Sequence, residues 1–365
     1  MLPSTLHKQD KVVYQVEYRP WIPKLDGILR LTDIEEKSLE ISIYGAGALG
    51  MAIAMEVALR DPRVRIRPYA QRRLFHSVRL EAPAAGLDGT RCITCQHLDD
   101  FARNLGHPDE GKGQSASPII VVTPPPQFMD AATRAVLDAL ASSATARHTT
   151  VYLLGNGLIT DATVALIKAA EHAPAPAESL RTRWIRGLAI AGFQSTWVEP
   201  QRRLHVIHTS GHAILLGSYG KGAVETDFPE GPLFPGPLFV PQAVDNVRAF
   251  ELRKFFVNAV LGWALGASGE PNGSLSKRLD PGTANTLAAE FAQLFPEAGP
   301  SQHLSGLLWQ TAEETAENLN SVGRAWRDGD PRLAYYFRDT ILQAVASRKA
   351  GEAVSCQALC KLLKT

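Results

Sequence analysis

The chain is poor in cysteine, with four in 365 residues. That is too few for a disulfide scaffold, so a reducing compartment is the simpler expectation. It has no uninterrupted apolar run near the roughly 18 residues that a membrane span needs. It has no surplus of either charge. Lys and Arg total 38 against 37 Asp and Glu, a formal net charge of +1, so nothing in the balance points to nucleic acid or an anionic membrane as a partner. The first thirty residues lack the apolar core of a secretory signal. They mix Lys8, Lys11, Arg19, Lys24 and Arg30 with Asp10, Glu17 and Asp26, whereas organellar transit peptides are poor in acids. A cytoplasmic location is expected, with a mitochondrial one as the lesser alternative. What is present is an ordinary globular composition, 45% apolar, which excludes wholesale disorder. At roughly 100–200 residues per domain, the length suggests two.

Hydrophobic periodicity divides the chain. Residues 1–40 show no clear period and read as an N-terminal extension. Residues 41–227 alternate short β-branched runs (Ile41–Tyr44, Val64–Pro68, Ile119–Val122, Thr150–Leu154, Leu188–Ala191) with Ala-rich stretches such as Ala131–Ala141 and Ala162–Ala170. Strands alternating with helices predict a mostly parallel sheet. His205–Leu216 reads as a further pair of strands. The Pro/Gly-rich stretch Phe228–Pro241 cannot continue a helix or a central strand, so residues 228–244 read as a linker or surface loop. Residues 245–365 are expected to be helical, with helices over Ala249–Leu265, Asn285–Leu294, Ser305–Val322 and Leu333–Lys349.

The clearest chemical signal is at residues 41–50. An apolar strand runs into Gly45-Ala46-Gly47-Ala48-Leu49-Gly50, and a helical run follows from Met51. In this spacing the first glycine permits a tight turn, the second lets a pyrophosphate approach the backbone, and the third lets the helix pack on the strand. The helix N-terminus then offers free N–H groups to the phosphates. This predicts a Rossmann-like dinucleotide-binding domain. NAD-binding domains place an acid about 20 residues after the glycines, on the ribose 2′-hydroxyl. Here the segment 64–73 contains no acid and ends in Gln71-Arg72-Arg73. Two guanidinium groups suit a 2′-phosphate, so the expected cofactor is NADPH.

Several motifs in one order give the chain a wider resemblance. The glycine turn, Gly155-Asn156-Gly157-Leu158 after a strand, Lys254-Phe-Phe-Val-Asn258, Glu270-Pro-Asn272-Gly-Ser-Leu275 and Thr315-Ala-Glu-Asn-Leu-Asn-Ser321 are together similar to the ketopantoate reductase (2-dehydropantoate 2-reductase) family, as a divergent fungal-type member. The resemblance spans roughly residues 41–340. It implies an α/β dinucleotide-binding domain followed by an all-helical domain like the C-terminal domain of 6-phosphogluconate dehydrogenase. It also implies reduction of a 2-oxo acid by NADPH, ketopantoate to pantoate in the route to pantothenate and coenzyme A, in a cleft between the domains. Cofactor would lie on Gly45, Gly47, Ala48, Leu49, Gly50, Gln71, Arg72, Arg73 and Asn156. Lys254 would be the general acid, Asn258 and Asn272 would position the hydroxyl groups, and Ser321 would bind the carboxylate. The helix spacing agrees, because residues four apart share a face, and an ammonium there can polarise a carbonyl oxygen and supply its proton. A homodimer is compatible with this architecture.

Three positions depart from that family. Gly262 stands where the lysine helix usually carries a second asparagine. Arg332 stands, within a residue of gap, where a catalytic glutamate is usual, with Asp330 as the nearest acid. A lysine that usually follows the third strand is replaced within Thr123-Pro124-Pro125-Pro126. These departures keep two other readings open: a reductase for a different 2-oxo acid, and a catalytically impaired dinucleotide-binding protein with a regulatory role. The pairs Cys92/Cys95 and Cys356/Cys360 lie far apart in sequence, with the first pair in an expected strand, and no zinc site is expected. His205, His208 and His212 read as ordinary polar strand residues.

Overall fold

The computed structural model describes residues 40–106, 118–143, 149–172, 182–219, 233, 234, 236, 238–347 and 356–363. The described chain falls into two compact units, one ending at Leu252 and the other beginning at Arg253. The expected N-terminal extension and most of the Pro/Gly-rich linker lie outside the described residues.

The first unit is an α/β domain on one sheet. Its strands are β1 (Glu40–Tyr44), β2 (Arg65–Ala70), β3 (Ser77–Ala82), β4 (Leu87–Arg91), β5 (Gln96–His97), β6 (Ile119–Val122), β7 (Thr150–Leu153), β8 (Arg183–Val198), β9 (Arg203–Gly217) and β10 (Val240–Ala243). The order is β4-β3-β9-β8-β7-β6-β1-β2-β5, with β10 pairing β9. From β8 through β7, β6 and β1 to β2 every neighbour is parallel. The helices are α1 (Ala48–Arg60), α2 (Phe101–Gly106), α3 (Met129–Ser142), α4 (Asp161–His172) and the first part of α5 (Val247–Leu265).

The central strands are short apolar runs because both their faces are covered. On β6, Ile119 and Val121 enter one core with Ile41, Ile43 and Met51 of β1 and α1. Ile120 and Val122 enter the other, with Met129 and Val136 of α3, as the two-residue period of a strand requires. Helix α1 is unusual. All residues from Gly50 to Ala58 are buried, including Glu56. It packs on β1, β2, β3, β4, β8 and β9, so the sheet curls around it. Glu56 Oε1 accepts from the Leu238 N–H at 2.7 Å. Burial pushes its carboxyl up to about 7, against the lowering effect of that backbone bond.

Three expectations change here. His205–Leu216 forms one long strand, β9, paired antiparallel with β8, and the ribbon is interrupted by a register shift between Ile190 and Phe193. Its turn comes earlier, at residues 199–202. Part of the expected surface loop is internal. Leu233, Leu238 and Phe239 are fully buried, and Val240–Ala243 join β9 in parallel. Pro241 is tolerated there because β10 is an edge strand. Cys92–Cys95 lies in the connection between β4 and β5, with Cys92 exposed and Cys95 buried.

The second unit is helical, comprising the rest of α5, then α6 (Leu275–Arg278), α7 (Pro281–Leu294), α8 (Ser301–Glu314), α9 (Ser321–Arg327), α10 (Arg332–Ala346) and α11 (Gln357–Leu362). Asp280 caps α7 by accepting from the Thr283 N–H, with Pro281 in the first turn. Glu290 of α7 accepts from the Ala358 and Leu359 amides and so docks α11. The single helix expected over Ser305–Val322 is two. Helix α8 ends at Glu314, residues 315–320 form a turn, and Asn320 caps α9 by accepting from the Gly323 N–H at 2.8 Å. Among the described residues no helix is long and apolar enough to cross a membrane.

Candidate active site

The glycine turn lies where β1 ends, between β2 and β6, at the point where the strand order reverses. In such sheets this is where a crevice forms beyond the carboxyl ends of the strands. Gly45 adopts φ +91°, a left-handed conformation that favours glycine. Its N–H and that of Ala46 both donate to the Tyr69 carbonyl at 3.0 Å, tying the turn to the end of β2. A Cβ on Gly45 would stand 2.8 Å from the Pro124 nitrogen, and one on Gly50 would stand 2.3 Å from Thr123 Oγ1. That hydroxyl itself donates to the Gly45 carbonyl at 2.8 Å. Around Gly47 no atom of the described residues lies within 4 Å of such a Cβ. The first and third glycines are therefore required by the protein's own packing, whereas the second faces open space. Gly47 is also the N-cap of α1, with no side-chain cap and no acid in the first turn, which begins with Ala48 and Leu49. A bare, positively polarised helix end behind an open glycine is a cradle that an anion fits.

Gln71, Arg72 and Arg73 follow β2 directly and are all exposed. Asn156 follows β7 and is exposed between Gly155 and Gly157. A Cβ on Gly155 would lie 3.0 Å from the Pro124 carbonyl oxygen and one on Gly157 2.8 Å from that of Pro126. The Asn156 turn thus packs on Thr123–Pro126, the same segment that supports Gly45. Four strand ends, those of β2, β1, β6 and β7, bring the residues expected at a nucleotide site to one rim of the sheet.

Sequence reasoning missed the residue that holds this rim. Arg186 of β8 is fully buried. Its Nη1 donates to the carbonyls of Leu153 (2.7 Å), Gly155 (2.9 Å) and Gly187 (2.7 Å), its Nη2 to Gly157 (2.8 Å), and its Nε to Glu251 Oε1 of α5 (3.0 Å). Glu251 also accepts from Tyr219 at 3.1 Å and from Arg248 Nη1 at 2.8 Å. Burial works against the Arg186 charge, but the adjacent Glu251 holds its pKa above the ordinary arginine value. Burial, with the Glu251 charge, raises the Tyr219 phenol. From the other side Asp130 of α3 accepts from the Thr160 N–H (3.0 Å) and hydroxyl (2.8 Å). The turn carrying Asn156 is therefore fastened at both ends. The available signal was a charged residue inside an apolar strand run, Trp184-Ile185-Arg186-Gly187-Leu188.

In the helical unit, Lys254 and Asn258 are both half-buried on α5, four residues apart and so on one face. The next position on that face is Gly262. A Cβ there would lie 2.6 Å from Val322 Cγ2. The N-terminus of α9 therefore docks on Gly262, which brings exposed Ser321 to the end of the Lys254–Asn258 stripe. Asn320 Nδ2 reinforces this by donating to the Leu261 carbonyl at 3.3 Å. Asn272 joins the same place. Its N–H donates to the Asn318 carbonyl at 3.0 Å and the Gly273 N–H to that of Ala316 at 3.0 Å. Asn272 Nδ2 donates to Thr315 Oγ1 at 2.8 Å, and its buried Oδ1 has no hydrogen-bond partner among the described residues. The absence of the second asparagine thus has a physical reason, because Val322 fills the space that any side chain at Gly262 would need. Asp330 is engaged by Arg332, whose Nε donates to Oδ1 at 2.7 Å.

Among the described residues, no group of three or more His, Cys, Asp or Glu side chains is placed to hold a metal ion. Burial pushes the Cys95 thiol up to about 12, away from the thiolate form that a nucleophile uses. His205 pairs with Glu81 at 3.0 Å, and the rings of His208 and His212 pack with centroids 4.8 Å apart.

No protein-family model matches the chain, and no curated protein sequence matches it significantly. Solved structures do resemble it. The PanE/ApbA family ketopantoate reductase from Ralstonia eutropha JMP134 is similar at 15% identity and a TM-score of 0.61, over 89% of this chain and 96% of the other. A 2-dehydropantoate 2-reductase from Geobacter metallireducens GS-15 is similar at 16% identity and 0.61, over 89% and 99%. D-mandelate dehydrogenase, in a ternary structure with NADH and anilino(oxo)acetate, is similar at 13% identity and 0.63, over 89% and 96%. The chain thus has the fold of the ketopantoate reductases and D-mandelate dehydrogenase, a parallel α/β domain followed by a helical region.

Proposed function

We propose that this chain is an NADPH-dependent reductase that converts a 2-oxo acid to the 2-hydroxy acid, with ketopantoate to pantoate as the first reaction to test. The observation that carries the reading is the cradle at Gly47, an uncapped helix end facing open space at the switch point of a parallel sheet. Residues 41–227 are read as the NADPH-binding domain and 245–365 as the substrate and dimerisation domain. The donor set suits the dinucleotide: main-chain amides of Ala48 to Gly50 for the pyrophosphate, Arg72 and Arg73 with Gln71 for the 2′-phosphate, and Asn156 at the rim for the far end. NADPH supplies the hydride when bound. Lys254 donates the proton that the forming alkoxide takes up, Asn258 and Asn272 orient the reacting oxygens, and Ser321 binds the carboxylate.

The test is oxidation of NADPH with ketopantoate and a panel of 2-oxo acids, alongside titrations of NADPH and NADH. Turnover of ketopantoate supports the full reading. Lys254→Ala is then expected to lower kcat at least about 100-fold, and an unchanged kcat removes Lys254 from the mechanism. Turnover of another acid alone assigns the departures to specificity. Tight NADPH binding without turnover favours the second reading, a dinucleotide-binding protein with impaired catalysis. The specific observation on that side is the commitment of Asp330 to Arg332, which leaves it unavailable as a replacement for the family's glutamate.

A further inference from the structure

The charges on the segment that follows Ser321 do not cancel. Residues 321–332 hold three arginines, Arg324, Arg327 and Arg332, and two acids, Asp328 and Asp330. The acids are taken. Asp328 lies 3.7 Å from Arg327 Nε, and Asp330 is gripped by both Nε and Nη2 of Arg332. Arg324 is the surplus cation. Its Nε donates to the Leu319 carbonyl at 2.9 Å, and among the described residues its guanidinium meets no carboxylate. Burial and then the like charge of Arg327 lower its pKa, while Asp328 opposes them more weakly. A half-buried arginine in that condition is stabilised by any anion that reaches it.

Its position gives that anion a place. Ser321 and Arg324 are one turn apart on α9 and share a face. The Leu319 carbonyl that anchors Arg324 belongs to the turn on which Asn272 docks through Asn318. Asn272 is 5% exposed, and its Oδ1 is a buried acceptor without a partner among the described residues. It therefore offers a hydroxyl group a bond whose absence is costly. The same few residues thus present an anion-binding fork and a hydroxyl-binding oxygen, the two recognition elements that a 2-hydroxy acid carries.

We propose that Arg324 is a substrate-specificity residue that binds the carboxylate of the acid together with Ser321, in a charged arrangement that discriminates acids from neutral carbonyl compounds. This rests on the reductase reading above. A planar guanidinium with two free amino groups can meet a carboxylate side-on, a geometry that a hydroxyl alone cannot provide.

The experiment compares a reducible 2-oxo acid with its methyl ester at saturating NADPH, for the wild type, Arg324→Gln and Arg324→Lys. Arg324→Gln is expected to raise KM for the acid about 10- to 100-fold. The ester's KM and the kcat for both should stay within about threefold, so the preference for acid over ester collapses. Arg324→Lys, which keeps the charge without the fork, should fall between. A merely structural role would move acid and ester together, and an unchanged acid-to-ester ratio overturns the proposal. If Arg324→Gln does not fold, Arg324→Lys is read alone: a raised KM for the acid only supports the proposal, and no change in either compound overturns it. If the wild type reduces no 2-oxo acid, calorimetric titration with oxamate separates the two readings. Oxamate binding that is lost in the variants upholds the carboxylate site while refuting reduction. Equal binding, or none to the wild type, overturns the site.

Discussion

The rim at Gly45–Gly50 and the turn at 315–321 are both candidate ligand sites, yet they are built from opposite materials. The rim is made of main chain. Its contacts are mostly amides, carbonyls and missing Cβ atoms, and two charged groups hold the Asn156 turn within it: fully buried Arg186, bonded to the Leu153, Gly155, Gly157 and Gly187 carbonyls, and Asp130, which accepts from Thr160. The helical site is made of side chains on short elements, and two of the three departures fall there, Gly262 under Val322 and Arg332 on Asp330, beside Arg324, which meets no carboxylate among the described residues; the third, at Thr123–Pro126, underlies the rim. A main-chain cradle recognises what every dinucleotide shares. A side-chain site recognises what distinguishes one acid from another. The first tolerates little change, and the second can be retuned one residue at a time.

That contrast can be broken from either side. The largest expected effect is on the rim. Arg186→Met leaves Glu251 buried with one partner fewer and frees the Leu153, Gly155, Gly157 and Gly187 carbonyls, so unfolding in urea should show a loss of about 3–5 kcal/mol. The double variant Arg186→Met/Glu251→Leu should recover part of it. In the helical unit, Gly262→Asn installs the asparagine expected from the resemblance to ketopantoate reductases but forces it against Val322. It should cost about 1–3 kcal/mol, and Val322→Ala should relieve that loss. Glu56 gives a pH-dependent effect of similar size. Its folded pKa of about 7 is raised above the ordinary 4.5, so its favourable contribution is full below about pH 4.5 and is lost as pH rises through 7. Glu56→Gln should therefore be more stable than the wild type at pH 8, by on the order of 1–3 kcal/mol, with the difference shrinking toward pH 5. The smallest effect belongs to the exposed arginines. Arg72→Ala and Arg73→Ala should each weaken NADPH about tenfold while leaving NADH nearly unchanged, and equal loss for both nucleotides would remove them from the 2′-phosphate.

Most of the α/β frame was legible because short apolar runs and a glycine pattern report backbone requirements directly. The strands around Ile41, Ile119 and Thr150 and the start of α1 follow from period and punctuation. β3 and β4 escaped because Ser77–Ala82 and Leu87–Arg91 carry polar and charged residues on one face of a ribbon. The break between α8 and α9 escaped because neither Gly nor Pro marks it. It is made by Thr315, whose hydroxyl turns back to the Thr311 carbonyl at 2.6 Å, and by the Asn320 cap. For the site, residue types and order were readable, whereas partnership was not. That Asp330 is occupied and that Arg324 meets no carboxylate among the described residues is a matter of which neighbours arrive in space, and nothing in the linear spacing records it.

The enclosure of α1 has a consequence for how a ligand would arrive. A helix gripped along nine consecutive buried residues, with its last carbonyls met by Arg91 at the Ala58 oxygen (2.9 Å), has no freedom to tilt or slide toward an incoming phosphate. Its first amides are aimed before the encounter, so little conformational entropy is surrendered on binding. Association of a dinucleotide here would then be a lock-and-key event, and amide protons from Met51 to Ala58 should exchange as slowly before NADPH is added as after.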